Sequence, residues 1–338
     1  MILIATDEAG YGPKLGPLVV TASAWRLPDS PSANPAGETE AKGSEASLEG
    51  LFERLKEPYS FDGVSVAVDD SKAVFQPRSR SRNAKPDLER PPYFILQLVA
   101  AAGLGWIGAS PADANLGALI AKTDHGDLER SKWLSQFVHQ TLPQTGVGDL
   151  INHWKPGDAR LVALKSRVIT AERFNGFCKT GWNKSDILSS VTLQLVRSLL
   201  TDVQAEPGPR SVRCDRHGGR RYYAGPIQSV FPDSLAQVIS ESKTESIYRV
   251  PEGTDGFEIR FTVKGDRFPP VAYSSMVAKF LREKAMESFN EYFLKQSGCP
   301  DNLKPTAGYP QDADRYLKDI KPILTAGAID TETLIRER

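Results

Sequence analysis

The chain reads as an α/β protein, a mixed central sheet flanked by helices, with inserted segments and a helical C-terminal part. Three observations predict this. Two apolar runs, residues 2–5 and 17–22, bracket Asp7, Glu8 and the glycines Gly10, Gly12 and Gly16, in the order strand, charged strand end, turn, strand. An amphipathic stretch at 185–200 is followed directly by a short run, 211–215, that ends in Asp215. A third alternating run, 257–263, closes with Lys264, Gly265 and Asp266. Helices alternating with acid-tipped strands are the pattern of an α/β sheet, whose ligands gather at strand ends.

At the start, the Ile/Leu-rich run reads as a buried strand, where carboxylates are expensive unless paired or bound to a cation. Either the strand has emerged at a sheet edge or Asp7 and Glu8 hold metal; a hairpin turn that opens with acids is the plainer alternative. Successive strand side chains point to opposite faces, so Glu8 joins Asp7 only if the backbone bends, a freedom that the glycines supply.

Residues 29–47, rich in Pro, Ser, Gly, Ala and Glu, read as an exposed or disordered insertion. A short helix is expected at 48–56, with Leu51, Phe52 and Leu55 on one face, then a strand at 64–68 running into Asp69, Asp70, Ser71 and Lys72. Residues 76–90 carry Arg78, Arg80, Arg82 and Lys85, a basic loop able to touch phosphates, or a solvated loop partly neutralised by Asp87 and Glu89. The apolar stretch 93–101 fits helix or strand.

The spacing of Leu116, Leu119, Ile120, Leu128, Trp133, Leu134, Phe137 and Val138 predicts helix across 111–140, with these residues in the core. A strand is expected at 161–169, and Thr170 caps a short helix after it. In 185–200, Ile187, Leu188, Val191, Leu195, Val196 and Leu199 form one stripe. Residues 216–256 read as an insertion with a helix near 233–239 and a strand near 247–250. A long helix is expected at 271–293, then a loop holding Gly308, Tyr309 and Pro310, and a short helix at 312–320; residues 325–338 carry little signal.

With 338 residues, 40% hydrophobic and 25% charged, the chain can bury one elaborated domain or two small ones. Its 42 basic and 42 acidic residues cancel, so a nucleic-acid surface has to be local. Cys178, Cys214 and Cys299, odd in number and without CxxC spacing, fit a reducing cytoplasm and neither a disulfide scaffold nor a zinc site. Asp7 and Glu8 interrupt any signal-peptide core, and the longest apolar run, 94–109, contains Gln97 and several glycines and falls short of a span. A soluble cytoplasmic protein without a membrane partner is expected.

Asp7, Glu8, Asp215 and Asp266 thus share one context, at or just past the end of a strand. If those ends converge, like charges about 4 Å apart repel by about 4 kcal/mol per pair at an effective dielectric near 20, and the cluster needs divalent cations or raised pKa values. Oxygen-only ligation favours Mg²⁺ or Mn²⁺ over Zn²⁺. His125, His139, His153 and His217 show no ligand spacing and are assigned to surface or core, His217 being a weak site candidate for its position beside Asp215.

These residues resemble the type 2 ribonucleases H, bacterial ribonucleases HII and HIII. DEAGYGPKLGPLVV is similar to that family's DEAGRGPLAGPVV; Asp70, Ser71 and Lys72 to its DSKK; the 185–200 helix to the one before its third acid; VKGDRFPPVAYSSMVAKFLREK to its KGD, Ser/Ala-rich helix and basic end; AGYP to its KGYGT or KGYPT. The matched elements occur in the family's order and cover about half the chain. A sequence that opens at the first of these strands leans toward the HII branch, although GPLVV suits HIII as well.

The resemblance implies a single ribonuclease H-like catalytic domain over 1–338, with insertions at 27–60, 76–158 and 216–256 and a C-terminal helical part at 283–338. It implies an endoribonuclease that cuts the RNA strand of RNA–DNA hybrids or ribonucleotides embedded in DNA, with Asp7, Glu8, Asp215 and Asp266 ligating two Mg²⁺ or Mn²⁺ ions. Gly10, Tyr11 and Gly12 would meet the ribose 2′-hydroxyl through their main chain, Tyr309 would pack on that sugar, and Lys72, Lys279 and Arg282 would position phosphates or sit on a solvated face. The sequence departs from the family at Tyr11, usually Arg or Lys, at Ala73 and Ala307, both usually basic, and in lacking an HRxSF-like segment. The alternatives are a catalytically altered nucleic-acid-binding protein and a DNA nuclease on the same fold.

Overall fold

The structure, a computed structural model, describes residues 1–28, 48–75, 91–155, 157–253 and 256–337. The readings at 29–47 and 76–90, including Arg78, Arg80, Arg82 and Lys85, lie outside the described residues. In chain order the strands are β1 (Ile2–Ala9), β2 (Leu18–Arg26), β3 (Tyr59–Phe61), β4 (Val64–Val66), β5 (Arg160–Ile169), β6 (Arg210–Asp215), β7 (Gln237–Glu241), β8 (Glu245–Val250) and β9 (Phe257–Thr262). Seven of them form one mixed sheet in the order β5-β2-β1-β6-β9-β8-β7, and β3 and β4 make a separate hairpin. β2 runs antiparallel to both β1 and β5, β1, β6 and β9 are mutually parallel, and β8 and β7 extend the sheet antiparallel beyond β9.

β1 is central and buried on both faces, as its unbroken apolar run requires. Leu3 enters one core while Ile2 and Ile4 enter the other. On the Leu3 face lie the helices Phe94–Trp106 and Pro269–Leu294; on the opposite face lie Lys184–Asp202 and Ala224–Val230. Small hydroxyl residues let the long helix settle closely on the sheet: Ser274 donates to the Ala5 carbonyl at 3.0 Å and meets Ser23 at 2.9 Å. Beyond the sheet, its far half packs Phe289 and Phe293 against Tyr316 of the C-terminal helix Pro310–Asp319.

The expected strands at 2–5, 17–22, 64–68, 161–169, 211–215, 247–250 and 257–263 are present, most of them longer or shifted by a residue or two. Thr170 accepts from the Arg173 amide at 3.3 Å and starts the helix Ala171–Lys179, and the ambiguous stretch 93–101 is helix.

Two expectations are corrected. Residues 111–140 are not one helix but short pieces, among them Leu116–Leu119 and Lys122–Arg130. The backbone at Asn115 and Ile120 instead bridges Thr141 and Ser166, commitments that a continuous helix could not make. The predicted core residues are nevertheless buried, apart from the half-buried Trp133. Asp124, fully buried, anchors this segment to β5 by accepting from Arg167 Nε at 2.8 Å and from the Val168 amide at 2.8 Å. The second correction is at 233–239: the helix lies earlier, at Ala224–Val230, and Gln237–Glu241 is the outermost strand. Leu235, Val238 and Ile239 have helical spacing but are exposed; Val238 pairs with Tyr248 of β8, and Ile239 falls at the register shift before Ser240.

Cys178, Cys214 and Cys299 are free thiols. Among the described residues, no helix is long and apolar enough to cross a membrane.

Candidate metal centre

Because β1, β6 and β9 are parallel neighbours, their C-terminal ends lie at one edge of the sheet. Asp7 and Glu8 end β1, Asp215 ends β6, and the turn Gly265–Arg267 after β9 carries Asp266. Asp7, Glu8 and Asp215 each place a carboxylate oxygen within 4.8 Å of the others. Glu8 reaches the group without a break in the β1–β2 register. Pairing of β1 with β6 stops at Thr6, so the strand end has a neighbour on one side only, and the longer Glu8 side chain bridges the rest.

The group is built to carry negative charge that its surroundings resist. Asp7 is 8% exposed, and burial, then Asp215, push its carboxyl up to about 8. Burial raises Glu8 well above the usual range, with Asp7 and Asp215 adding to it, and also raises Asp215. Several groups pull the other way. The Glu8 amide donates to Asp7 Oδ1 at 2.8 Å and the Gly265 amide to Asp215 Oδ1 at 2.7 Å, and the Ser275 hydroxyl lowers Asp7. The Lys72 charge lowers both Glu8 and Asp215. Asp266 stands outside the close trio, at the rim of a cleft of about 600 Å³ shared with Asp70, Lys72 and Lys264, and its charge still raises Asp7 and Asp215. An all-carboxylate donor set whose members burden one another fits a hard divalent cation, Mg²⁺ or Mn²⁺.

Beside the acids, Gly10 takes φ +88°, and a β-carbon there would lie 2.5 Å from the Pro17 carbonyl oxygen. Gly12 is exposed, and a β-carbon on it would meet nothing within 4 Å. Tyr11 is half-buried near Glu8 and rests against Gly218. The glycine turn and the Tyr309 loop are joined directly, since the amides of Lys14 and Leu15 donate to the Gly308 carbonyl at 2.8 and 3.1 Å. Tyr309 is 51% exposed, with the Arg282 guanidinium 5.7 Å from its ring centre.

Lys279 and Arg282 are neither phosphate hooks in open water nor a solvated face. Lys279 pairs with Glu283 at 2.6 Å over the Phe75 ring, and Arg282, 1% exposed, donates to the Ala307 carbonyl at 2.7 Å. His217 is no ligand: it is buried against Ser189 Oγ at 3.0 Å, and burial lowers it to about 3. Sequence reading missed Ser275, visible only as part of a Ser/Ala-rich helix, and Arg336, which donates to the Pro13 carbonyl beneath the glycine turn.

No protein-family model matches the chain, and no curated protein does. Among solved structures it is similar to Bst-RNase HIII in complex with Mn2+ at 14% identity and TM-score 0.43, over 99% of this chain and 66% of that one, just under two thirds of its length. It is also similar to a PCNA:RNase HII complex from Archaeoglobus fulgidus at 12% identity and TM-score 0.40, over 100% and 95% of the chains. A third is the ribonuclease H2 from Pyrococcus horikoshii OT3, at 12% identity and TM-score 0.41, over 99% and 92%. Likeness at this level decides nothing about activity, which has to be read from the carboxylates and their surroundings.

Proposed function

We propose that this protein is a divalent-metal-dependent endoribonuclease that hydrolyses the RNA strand of RNA–DNA hybrids or single ribonucleotides embedded in duplex DNA. The observation that carries the reading is the trio Asp7, Glu8 and Asp215, brought from two parallel strands to within 4.8 Å, Asp7 buried and the other two partly so, where such charge is poorly tolerated without a cation. With Asp266 at the rim, these residues would hold two Mg²⁺ or Mn²⁺ ions, which when bound supply a nucleophilic water and charge stabilisation for in-line displacement at phosphorus.

The chain's own groups do the rest. Ser275 and the Gly265 amide orient Asp7 and Asp215, and Lys72 offsets charge at the cleft mouth. The open main chain at Gly12 can approach a ribose 2′-hydroxyl, the group that separates RNA from DNA, and the exposed Tyr309 ring stands ready to pack on that sugar.

The test is incubation with end-labelled duplexes: an RNA–DNA hybrid, DNA with one ribonucleotide, and all-DNA, each with Mg²⁺ or Mn²⁺. Cleavage confined to ribonucleotide-containing substrates and lost in Asp215→Asn is the expected result. Equal cutting of all-DNA would make the protein a DNA nuclease, and hybrid binding without turnover would make it a binding protein.

A further inference from the structure

A second cavity, about 250 Å³, lies against the Gly265–Arg267 turn, next to the cleft at Asp266. Among the described residues its charged lining is Arg213, Arg260, Lys264 and Arg267 against Glu49 and Glu245, two more cations than carboxylates in a chain whose total charge is zero. Arg213 and Arg260 stand directly opposite each other across the parallel β6–β9 pair. Like charges in that position oppose strand pairing. Glu245 and Glu258, at 3.3 and 3.4 Å, balance Arg260. Glu245 comes from β8, so the strands that extend the sheet past β9 build one wall.

Lys264 is the ridge between the cavity and the cleft, and it lines both, as does Arg267. Its backbone is left-handed, at φ 58° and ψ 45°, a conformation strained for a side-chain-bearing residue. Among the described residues neither Lys264 nor Arg267 forms an ion pair. Gly265, next in the chain, also lines the cavity while its amide holds Asp215. Cationic cavity and acidic centre are therefore separated by a single turn of backbone.

We propose that this cavity binds a phosphodiester group of a nucleic-acid strand, a nucleotide or two from the bond at the carboxylates. Arginine forks and a lysine match phosphate oxygens, and the Phe268 and Val271 wall suits the face of a sugar. The position relative to the cut rests on the nuclease reading; phosphate binding itself does not.

The experiment measures anisotropy of a labelled RNA–DNA hybrid without divalent cation, across a salt series, for wild type, Lys264→Gly, Arg213→Ala and Lys295→Ala. Lys264→Gly removes the cation and relieves the backbone, so folding is kept. Lys295, at the far end of a 26-residue helix whose first turn borders the cleft, controls for net charge. Affinity should fall about fivefold in Lys264→Gly and Arg213→Ala, with the log–log salt slope flatter by roughly one, and stay unchanged in Lys295→Ala. Unchanged affinity and slope in both cavity variants, or an equal loss in Lys295→Ala, overturns the proposal. So does Arg213-dependent binding of adenosine monophosphate with no effect on the hybrid, which would make this a free-nucleotide site. Cavity-dependent binding by a protein that cuts nothing leaves this inference standing and removes the nuclease reading, whereas cutting with both variants unaffected does the reverse.

Discussion

Ser71 and Ser275, 204 residues apart, meet hydroxyl to hydroxyl at 3.1 Å, and the Ser275 hydroxyl in turn draws the Asp7 carboxyl down against the burial that raises it. The Asp70-Ser71-Lys72 segment therefore acts on the acidic centre twice, through this relay and through the charge of Lys72.

Removing the relay should weaken metal binding. In Ser275→Ala, Asp7 loses a hydroxyl whose influence favours its ionised form, and Mn²⁺ affinity measured by calorimetry should fall about tenfold or more, the usual effect of losing an outer polar partner. Ser275→Thr, which keeps the hydroxyl, should recover part of the loss. Full affinity in Ser275→Ala would show that the relay does not tune Asp7.

Acidity should govern the metal-free protein in a defined direction. Asp7 ionises near 8 when folded, against an ordinary 3.8, so between those values the folded state holds a proton that the unfolded chain lacks. This stabilising contribution is complete below the lower value and is lost as pH rises through the upper one. Mn²⁺ needs the deprotonated form, so the rise in melting temperature on adding it should be larger at about pH 8 than at about pH 6. Equal rises at both, or an Asp7→Asn variant with the wild-type pattern, would contradict the assignment.

The two glycines of the turn should separate folding from recognition. Gly10→Ala meets the Pro17 carbonyl at 2.5 Å with φ +88° and should cost about 2 kcal/mol in urea unfolding. Gly12→Ala meets nothing, and its stability should stay within about 0.5 kcal/mol of wild type. Hybrid cleavage should nevertheless drop in Gly12→Ala, because the added methyl occupies the approach to the main chain. Wild-type cleavage by this variant would place the ribose elsewhere.

Asp124 should be the most costly acid to remove outside the centre. It is fully buried and accepts from Arg167, Arg173 and the Val168 amide, so Asp124→Ala leaves a buried guanidinium without its partner. A loss of about 3–5 kcal/mol is expected by chemical denaturation, and a loss under about 1 kcal/mol would show that water reaches Arg167.

Much of the fold was legible because strands and helices announce themselves by local period. The apolar run of β1, the stripe of Lys184–Asp202 and the alternation of β9 each needed only their own residues. The helix expected across 111–140 failed because its breaks come from bridges to Thr141 and Ser166, and the one near 233–239 because β8 offered a partner. Lys279 and Arg282 look like free basic residues on a helix, yet Glu283, Phe75 and the Ala307 carbonyl engage them.

By itself, then, the sequence determined that Asp7, Glu8, Asp215 and Asp266 would each stand at or just past the end of a strand, since apolar runs and the charges that stop them are written consecutively. Only the tertiary structure decided that three of them share one 4.8 Å neighbourhood while Asp266 keeps to the rim, and that Gly308 and Arg336 both hold the glycine turn. Those relations depend on which strands lie parallel and which distant carbonyls lack a donor, and hydrogen bonds spanning some 300 residues leave no periodic trace in the chain.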